Sequence, residues 1–241
     1  MSNNYFQFKQ FTVQQEHCAM KVCTDACLFG AWIADKIKNE NSKVKSVLDI
    51  GTGTGLLSLM LAQQTDAIID AVEIDEAAAT QARQNFDTSP WKERLNIYNS
   101  SIQELDQQTT QQYDLIISNP PFFENDLKGD NAKKNIALHS SELSLDELSN
   151  AIDTHLKDDG LFAVLLPYHR TVYFEKLAGL KYFLHEKVLV KQTSKHNYFR
   201  SMLLFGSTKA KIKEGEIIIR EEDEQYSEAF ITLLKDYYLN L

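Results

Sequence analysis

Asn119-Pro120-Pro121-Phe122 is a run of residues equipped to act on an amino nitrogen that is hard to alkylate. Such a nitrogen, bonded to a heteroaromatic ring or a carbonyl, is a poor nucleophile because its lone pair is delocalised. Two acceptors placed against its N–H bonds would draw it toward a tetrahedral, nucleophilic geometry. The amide oxygen of Asn119 can be one acceptor and the backbone carbonyl of Pro120 the other. The prolines have a fixed φ and no donors of their own, so both acceptors are preorganised. Phe122 offers a flat face for an unpaired base. Asn119 cannot take a proton, so the scheme requires in-line attack on an activated methyl carbon, with the proton lost to solvent afterwards. Most of the rate would come from alignment and a good leaving group. An Asn-Pro pair is also a common turn starter, so the tetrapeptide gains meaning only from its surroundings.

A second constellation lies upstream, at Asp49-x-Gly51-x-Gly53-x-Gly55. Glycines allow a sharp strand-to-helix turn and leave no side chain between backbone and ligand. Backbone N–H groups at the start of the following helix favour an anion, here the carboxylate of a methionine moiety. A dinucleotide fingerprint, G-x-G-x-x-G, would place glycine where this chain has Leu56. Together with the leading Asp49, this points to S-adenosylmethionine rather than a nicotinamide cofactor. Glu73 stands twenty-two residues beyond Gly51, where a carboxylate can accept from both ribose hydroxyls. Ile74 is placed to pack on the adenine face, and Ser101-Ile102 to meet the adenine edge. Asn119 belongs to both the cofactor-binding and the catalytic set.

The elements that must position these groups alternate in type. Strands are expected at 44–50, 68–72, 95–98, 113–118, 161–166, 183–191 and 201–205. Helices are expected at 24–38, from Leu56 onward, 76–86, 145–156 (capped near Ser144), 170–178 and 226–238. Thr24 or Asp25 is the expected cap of the first helix. This alternation predicts an α/β fold: a Rossmann-like, seven-stranded, mostly parallel sheet with helices on both faces. The glycine loop, Glu73 and the Asn-Pro-Pro-Phe segment each follow a strand, so all three should converge on the carboxyl edge of the sheet. The polar stretch 123–144 is long for a loop in a compact domain. No linker or repeat divides the 241 residues, and a single domain is expected, with residues 1–43 as an N-terminal extension.

Composition excludes several classes. Hydrophobic residues at 43% and charged residues at 24% describe a globular chain. No secretory signal is visible, and no apolar run is long enough to cross a bilayer. A soluble cytoplasmic protein with no membrane partner and no obligate protein partner is expected. Cys18, Cys23 and Cys27 lack paired Cys-x-x-Cys spacing, so they read as small thiols entering the core rather than as metal ligands. The net charge of −9 is unfavourable for a nucleic-acid partner. Charge is segregated, however: eight cations against Glu186 alone between Lys181 and Lys213, then seven acids against Arg220 from Glu214 to Glu228. One positive face, with Lys191, Lys195 and Arg200 meeting phosphates, is the expectation to test.

The pairing of Asp49–Gly55 with Asn119-Pro120-Pro121-Phe122 resembles the Rossmann-fold amino-methyltransferases. A closer likeness adds Phe6-x-Phe8-Lys9-Gln10-Phe11-x-Val13, Met20-Lys21-Val22-x-Thr24-Asp25, Leu28-x-Gly30-Ala31-Trp32, and Tyr226-Ser227 to Tyr238-Leu239. Over nearly the whole chain this resembles the bacterial tRNA(Val) adenine N6-methyltransferase family. The resemblance implies a tRNA substrate and methylation of the adenine just 3′ of the anticodon. It further implies that Lys21, Thr24 and Asp25 close over the cofactor. Two residues depart from the pattern: Ser101 stands where many relatives carry an acid, and Phe122 where adenine-specific enzymes often carry tyrosine. The tetrapeptide also occurs in guanine N2-methyltransferases of rRNA; N5-methylation of protein glutamine poses the same nucleophile problem, though those enzymes usually carry Asn-Pro-Pro-Tyr, and a non-catalytic RNA-binding module on the same fold is a further alternative.

Overall fold

The computed structural model describes residues 3–18, 20–39, 44–121 and 143–241. A short antiparallel hairpin, β1 (Tyr5–Gln7) and β2 (Thr12–Gln14), precedes helix α1 (Thr24–Asn39). The chain then alternates through β3 (Ser46–Ile50), α2 (Leu56–Ala62), β4 (Ile68–Glu73), α3 (Glu76–Asp87), β5 (Leu95–Asn99), α4 (Ile102–Gln108) and β6 (Tyr113–Ser118). After the segment outside the described residues come α5 (Leu145–His155), β7 (Leu156–Pro167), α6 (Thr171–Ala178), β8 (Phe183–Lys191), β9 (Tyr198–Gly206), β10 (Lys213–Ile218) and α7 (Glu228–Leu234).

The central sheet runs β10-β8-β9-β7-β6-β3-β4-β5. Only the pairings of β9 with β7 and with β8 are antiparallel. It is therefore the mostly parallel α/β sheet expected, with the seven anticipated strands and an eighth, β10, at one end. Strand residues bury alternately on two faces: Val47, Leu115, Ile117, Ala163 and Leu165 on one, and Leu48, Ile116, Phe162, Val164 and Leu166 on the other. Burial on both faces explains why these strands read as near-continuous apolar runs. Helices α1, α2, α3 and α7 cover the first face, together with Phe8, Phe11 and Val13 of the N-terminal segment; α4, α5 and α6 cover the second.

Strand order reverses at β3. From there the chain builds outward through β4 and β5, then returns to lay β6 on the opposite flank. Such a switch point opens a crevice beyond the carboxyl ends of the strands, where open α/β sheets bind ligands. The Ser118 hydroxyl at the end of β6 donates to the Ile50 carbonyl at the end of β3 (2.8 Å), tying the two rims of that crevice together.

Several boundaries differ from expectation for local reasons. Helix α1 starts at Thr24, and the Cys27 N–H donates to the Cys23 carbonyl (3.1 Å), so Cys23, not Thr24 or Asp25, holds the cap position. Helix α5 does begin behind Ser144, in a capping box with Glu147.

The expected positive face does not form from β8 and β9. Parallel pairing of β10 with β8 sets Glu214 opposite Lys187. Lys187 pairs with Glu175 and Glu214, Lys191 with Glu216, Lys195 with Glu222, and Arg200 with Asp25. The basic and acidic segments, adjacent in sequence, fold onto each other and largely neutralise.

Candidate active site

The glycine loop leaves β3 with all three glycines at positive φ: 72° at Gly51, 56° at Gly53 and 81° at Gly55. Added Cβ atoms at Gly51 and Gly53 would meet nothing within 4 Å, whereas one at Gly55 would strike the Phe86 ring at 2.5 Å. The first two glycines therefore face open space, and the third seats the start of α2 against α3. The N–H groups of Gly51 and Thr52 both donate to the Val72 carbonyl, fixing the loop to the end of β4. Beneath it, Asp49 is fully buried; its Oδ2 accepts from Thr52 Oγ1 (2.6 Å) and Ser58 Oγ (2.7 Å). Burial pushes this carboxyl up to about 6, with the two hydroxyls pulling the other way. Its Oδ1 has no hydrogen-bond partner.

Beyond the loop lies a cavity of about 600 Å³, within the range of roughly 300–1,000 Å³ that small-molecule sites occupy. Gly51, Gly53, Glu73, Ile74, Ser101, Ile102 and Asn119, drawn from the ends of the four strands β3, β4, β5 and β6 or from the segments that follow them, all line this space. Glu73 accepts from Gly53 N–H on Oε2 and from Asp75 N–H on Oε1, both at 2.9 Å. A carboxylate offers about four acceptor positions, so two remain for a ligand. Ile50, Val72, Ile74 and Ile102 give the cavity apolar walls. At the β5 end, the Ser100 hydroxyl is buried and has no partner among the described residues. Ser101 serves as the N-cap of α4: its Oγ accepts from Glu104 N–H, and Glu104 Oε2 accepts from Ser101 N–H, both at 3.1 Å.

Across the cavity stand Asn119 and Pro121, with Pro120 buried behind them. Among the described residues, the Asn119 side chain makes no hydrogen bond. Phe122 lies outside the described residues. Asp49, Gly55 and Pro120 support the lining from behind. Lys21 is half-buried, and Thr24 and Asp25 open α1 rather than line the cavity; Asp25 instead takes the Arg200 Nε–H at 2.7 Å.

The N-terminal segment reaches the cavity through two residues that sequence reasoning missed, Cys18 and Met20. The segment is bolted to α3. Asn85 exchanges hydrogen bonds with the Gln14 backbone (2.8 and 2.9 Å) and donates to the Thr54 carbonyl (2.8 Å). Gln15 Oε1 accepts from Val22 N–H (2.8 Å), closing the turn that carries Cys18 and Met20. Burial pushes the Cys18 thiol up to about 11, helped by the negative charges of Glu73 and Asp75. The cavity thus has a negative field, suited to a cationic ligand. Cys27 lies in the core and Cys23 is half-buried; burial raises both thiols to about 12.

These features fit S-adenosylmethionine. Open acceptors on Glu73 suit a ribose diol, the apolar walls suit a purine, the orphaned Ser100 hydroxyl suits a heterocycle edge, and the acidic field suits a sulfonium with an ammonium group.

Comparison with known proteins agrees with this geometry. The family model for the methyltransferase small domain matches residues 30–162. A tRNA1(Val) (adenine(37)-N6)-methyltransferase from Cytophaga hutchinsonii is 45% identical over 100% of both chains. A protein of the same name from Trichodesmium erythraeum is 41% identical over 99% of both. Among solved structures, a predicted O-methyltransferase from Agrobacterium tumefaciens superposes with a TM-score of 0.69 at 14% identity, covering 90% of this chain and 100% of that one. Pyrococcus horikoshii TYW2 in complex with MeSAdo gives a TM-score of 0.58 at 12% identity, covering 87% of this chain and 73% of that one. At those identities the superpositions speak for the Rossmann-like methyltransferase fold alone. The full-length identity goes further, and the chain belongs to the tRNA1(Val) (adenine(37)-N6)-methyltransferase family.

Proposed function

We propose that this protein transfers a methyl group from S-adenosylmethionine to N6 of adenine 37 in tRNA1(Val). The observation that carries the reading is the cavity at the switch point, with Gly51, Gly53 and Glu73 on one wall and, on the other, Asn119, whose side chain no described residue engages. Relatives named for that activity, alike over the full length, support the substrate. When bound, the cofactor supplies an electrophilic methyl group and a good leaving group. The chain's own residues bind, orient and shield. Glu73 accepts from the ribose hydroxyls, while Ile74 and Ile102 enclose the adenine and Ser101 holds the turn at its edge. Asp49 stiffens the loop from below.

Asn119 Oδ1 and the Pro120 carbonyl accept from the two N–H bonds of the target amine, and Phe122 stacks on its base. No general base is required, because the alkylated nitrogen is acidic enough to lose its proton to water. Residues 1–43 act as part of one domain, closing the cavity through Cys18 and Met20; Lys21, Thr24 and Asp25 contribute from the base of that turn. Among the described residues no helix is long and apolar enough to cross a membrane, and we place the enzyme in the cytoplasm with its tRNA.

The test is methyl transfer to tRNA1(Val) and to a transcript with adenine 37 replaced by guanine. The wild type should methylate only the first. Asn119→Ala should lower kcat by about 10² or more, the size of effect that a single preorganised polar group has in other active sites, with S-adenosylhomocysteine binding retained by calorimetry. Labelled methyl found only in protein, or equally in the guanine transcript, would overturn the assignment.

A further inference from the structure

Beside the site, on the same edge of the sheet, lies a second set of residues that neither the cofactor nor the target amine engages. Strand β7 runs parallel to β6 with Val164 level with Ser118. It continues for three residues past that level, so the turn Tyr168-His169-Arg170 stands on the rim next to Asn119-Pro120-Pro121. All three residues of the turn are exposed, Tyr168 by 43%. The turn is nonetheless firmly seated: the Thr171 hydroxyl, buried, donates to the Tyr168 carbonyl (2.7 Å) and meets the Ser201 hydroxyl at 2.6 Å. Tyr168 also leans on Tyr198 at the start of β9, with ring centroids 5.2 Å apart. Lys191 Nζ sits 4.5 Å from the Tyr198 ring centroid.

Charge separates this turn from the rest of the molecule's basic surface. Lys187, Lys191, Lys195 and Arg200 are each paired with a carboxylate. Lys209, Lys211 and Lys213 follow the end of β9, where Gly206 lies level with Leu161 at the opposite edge of the sheet. Among the described residues, no carboxylate pairs with Arg170. An exposed ring seated against Tyr198, two residues from a guanidinium that no described carboxylate pairs with and one strand from the reacting amine, matches what an unpaired RNA nucleotide requires: a face to stack on and a cation for its phosphate.

We infer that the Tyr168–Arg170 turn is the docking platform for the single-stranded nucleotides flanking the target base, with Tyr168 stacking on a neighbouring base and Arg170 meeting its phosphate. The inference rests on the RNA reading of the site. A small positive patch on an acidic protein is then sufficient, because a loop base is already unpaired and its presentation costs less than flipping from a duplex.

Binding of fluorescently labelled tRNA1(Val), measured by anisotropy at two salt concentrations, tests this. Tyr168→Ala should weaken binding roughly 5- to 150-fold, the span of one lost base–aromatic stack, while Tyr168→Phe should stay near wild type. Arg170→Ala should weaken binding and lower the salt slope by about one. Replacing Lys209, Lys211 and Lys213 together with alanine should leave affinity unchanged. S-adenosylhomocysteine binding by calorimetry should persist in every variant, showing that the fold and cofactor cavity are intact. Wild-type affinity and salt slope in both Tyr168→Ala and Arg170→Ala would overturn the platform while leaving the enzyme assignment standing. A wild-type protein that neither binds nor methylates tRNA would overturn the assignment itself, and the platform with it.

Discussion

Full burial pushes the Asp49 carboxyl up to about 6, against the downward pull of Thr52 and Ser58. The folded pKa lies above the ordinary value of 3.8, so folding favours the protonated form. Stability from this residue is therefore greatest at low pH, falls as pH rises from about 3.8 to about 6, and stays reduced above that. Asp49→Asn keeps an amide oxygen for the two hydroxyls and removes the buried charge. Urea denaturation at several pH values should show the variant gaining on the wild type between pH 4 and 6 by on the order of 2–3 kcal/mol, with a plateau above. A constant difference across that range would contradict the account. Asp49, Glu73 and Asn119 were legible in the sequence because each follows or ends a strand in a position only the sheet edge makes meaningful. Cys18 and Met20 were not, since their place on the cavity wall depends on hydrogen bonds of Asn85 and Gln15, side chains that belong to none of the quoted motifs.

Asn85 shows how one helix locates two separate segments. From α3 it holds the β1–β2 hairpin through Gln14 and the glycine loop through Thr54. Asn85→Ala should leave buried backbone groups unsatisfied and cost about 2–4 kcal/mol in chemical denaturation. Cofactor affinity by calorimetry should fall with it, because the loop and the Cys18–Met20 wall share this fastening. Asn85→Asp, which keeps the acceptor for Gln14 N–H but sets a buried carboxylate oxygen against the Gln14 and Thr54 carbonyls, should cost at least as much. Unchanged affinity in the alanine variant would separate the hairpin from the site. The seven apolar strands were readable because burial on both faces leaves an unbroken run of β-branched and aliphatic residues. Strand β10 was missed because four of its first five residues are charged or glycine and only Ile217 is buried. Hairpin strands of three residues each and the seven-residue, largely polar helix α4 carry too little periodicity to register.

The two ends of the chain meet in one aromatic cluster. Tyr238 packs against Phe6, Phe8 and Phe230, and Phe8 bridges to Tyr238 through backbone pairing. The terminal motifs that carried the family likeness are therefore one structural unit, which sequence order alone conceals. Tyr238→Ala should cost about 3–5 kcal/mol, in the range of large aromatic truncations in cores. Hydrogen exchange should then rise together in residues 5–14 and 226–238. Exchange confined to the C-terminal helix would show that the ends are independent. Tyr238→Phe should preserve the joint protection.

The facing of β10 against β8 has one more consequence. Glu214 and Glu216 answer Lys187 and Lys191 from the last strand of the sheet. A fragment that stops before Lys213 loses those partners, and Glu222 of Lys195 with them, so the seven cations left between residues 181 and 212 face fewer carboxylates, with Asp153, Glu175 and Asp25 still answering Lys181, Lys187 and Arg200. Such a fragment would adhere to any polyanion, including heparin and bulk RNA, with a steep salt dependence. The strand thus keeps Lys187 and Lys191 engaged within the sheet, in competition with any polyanion that approaches β8.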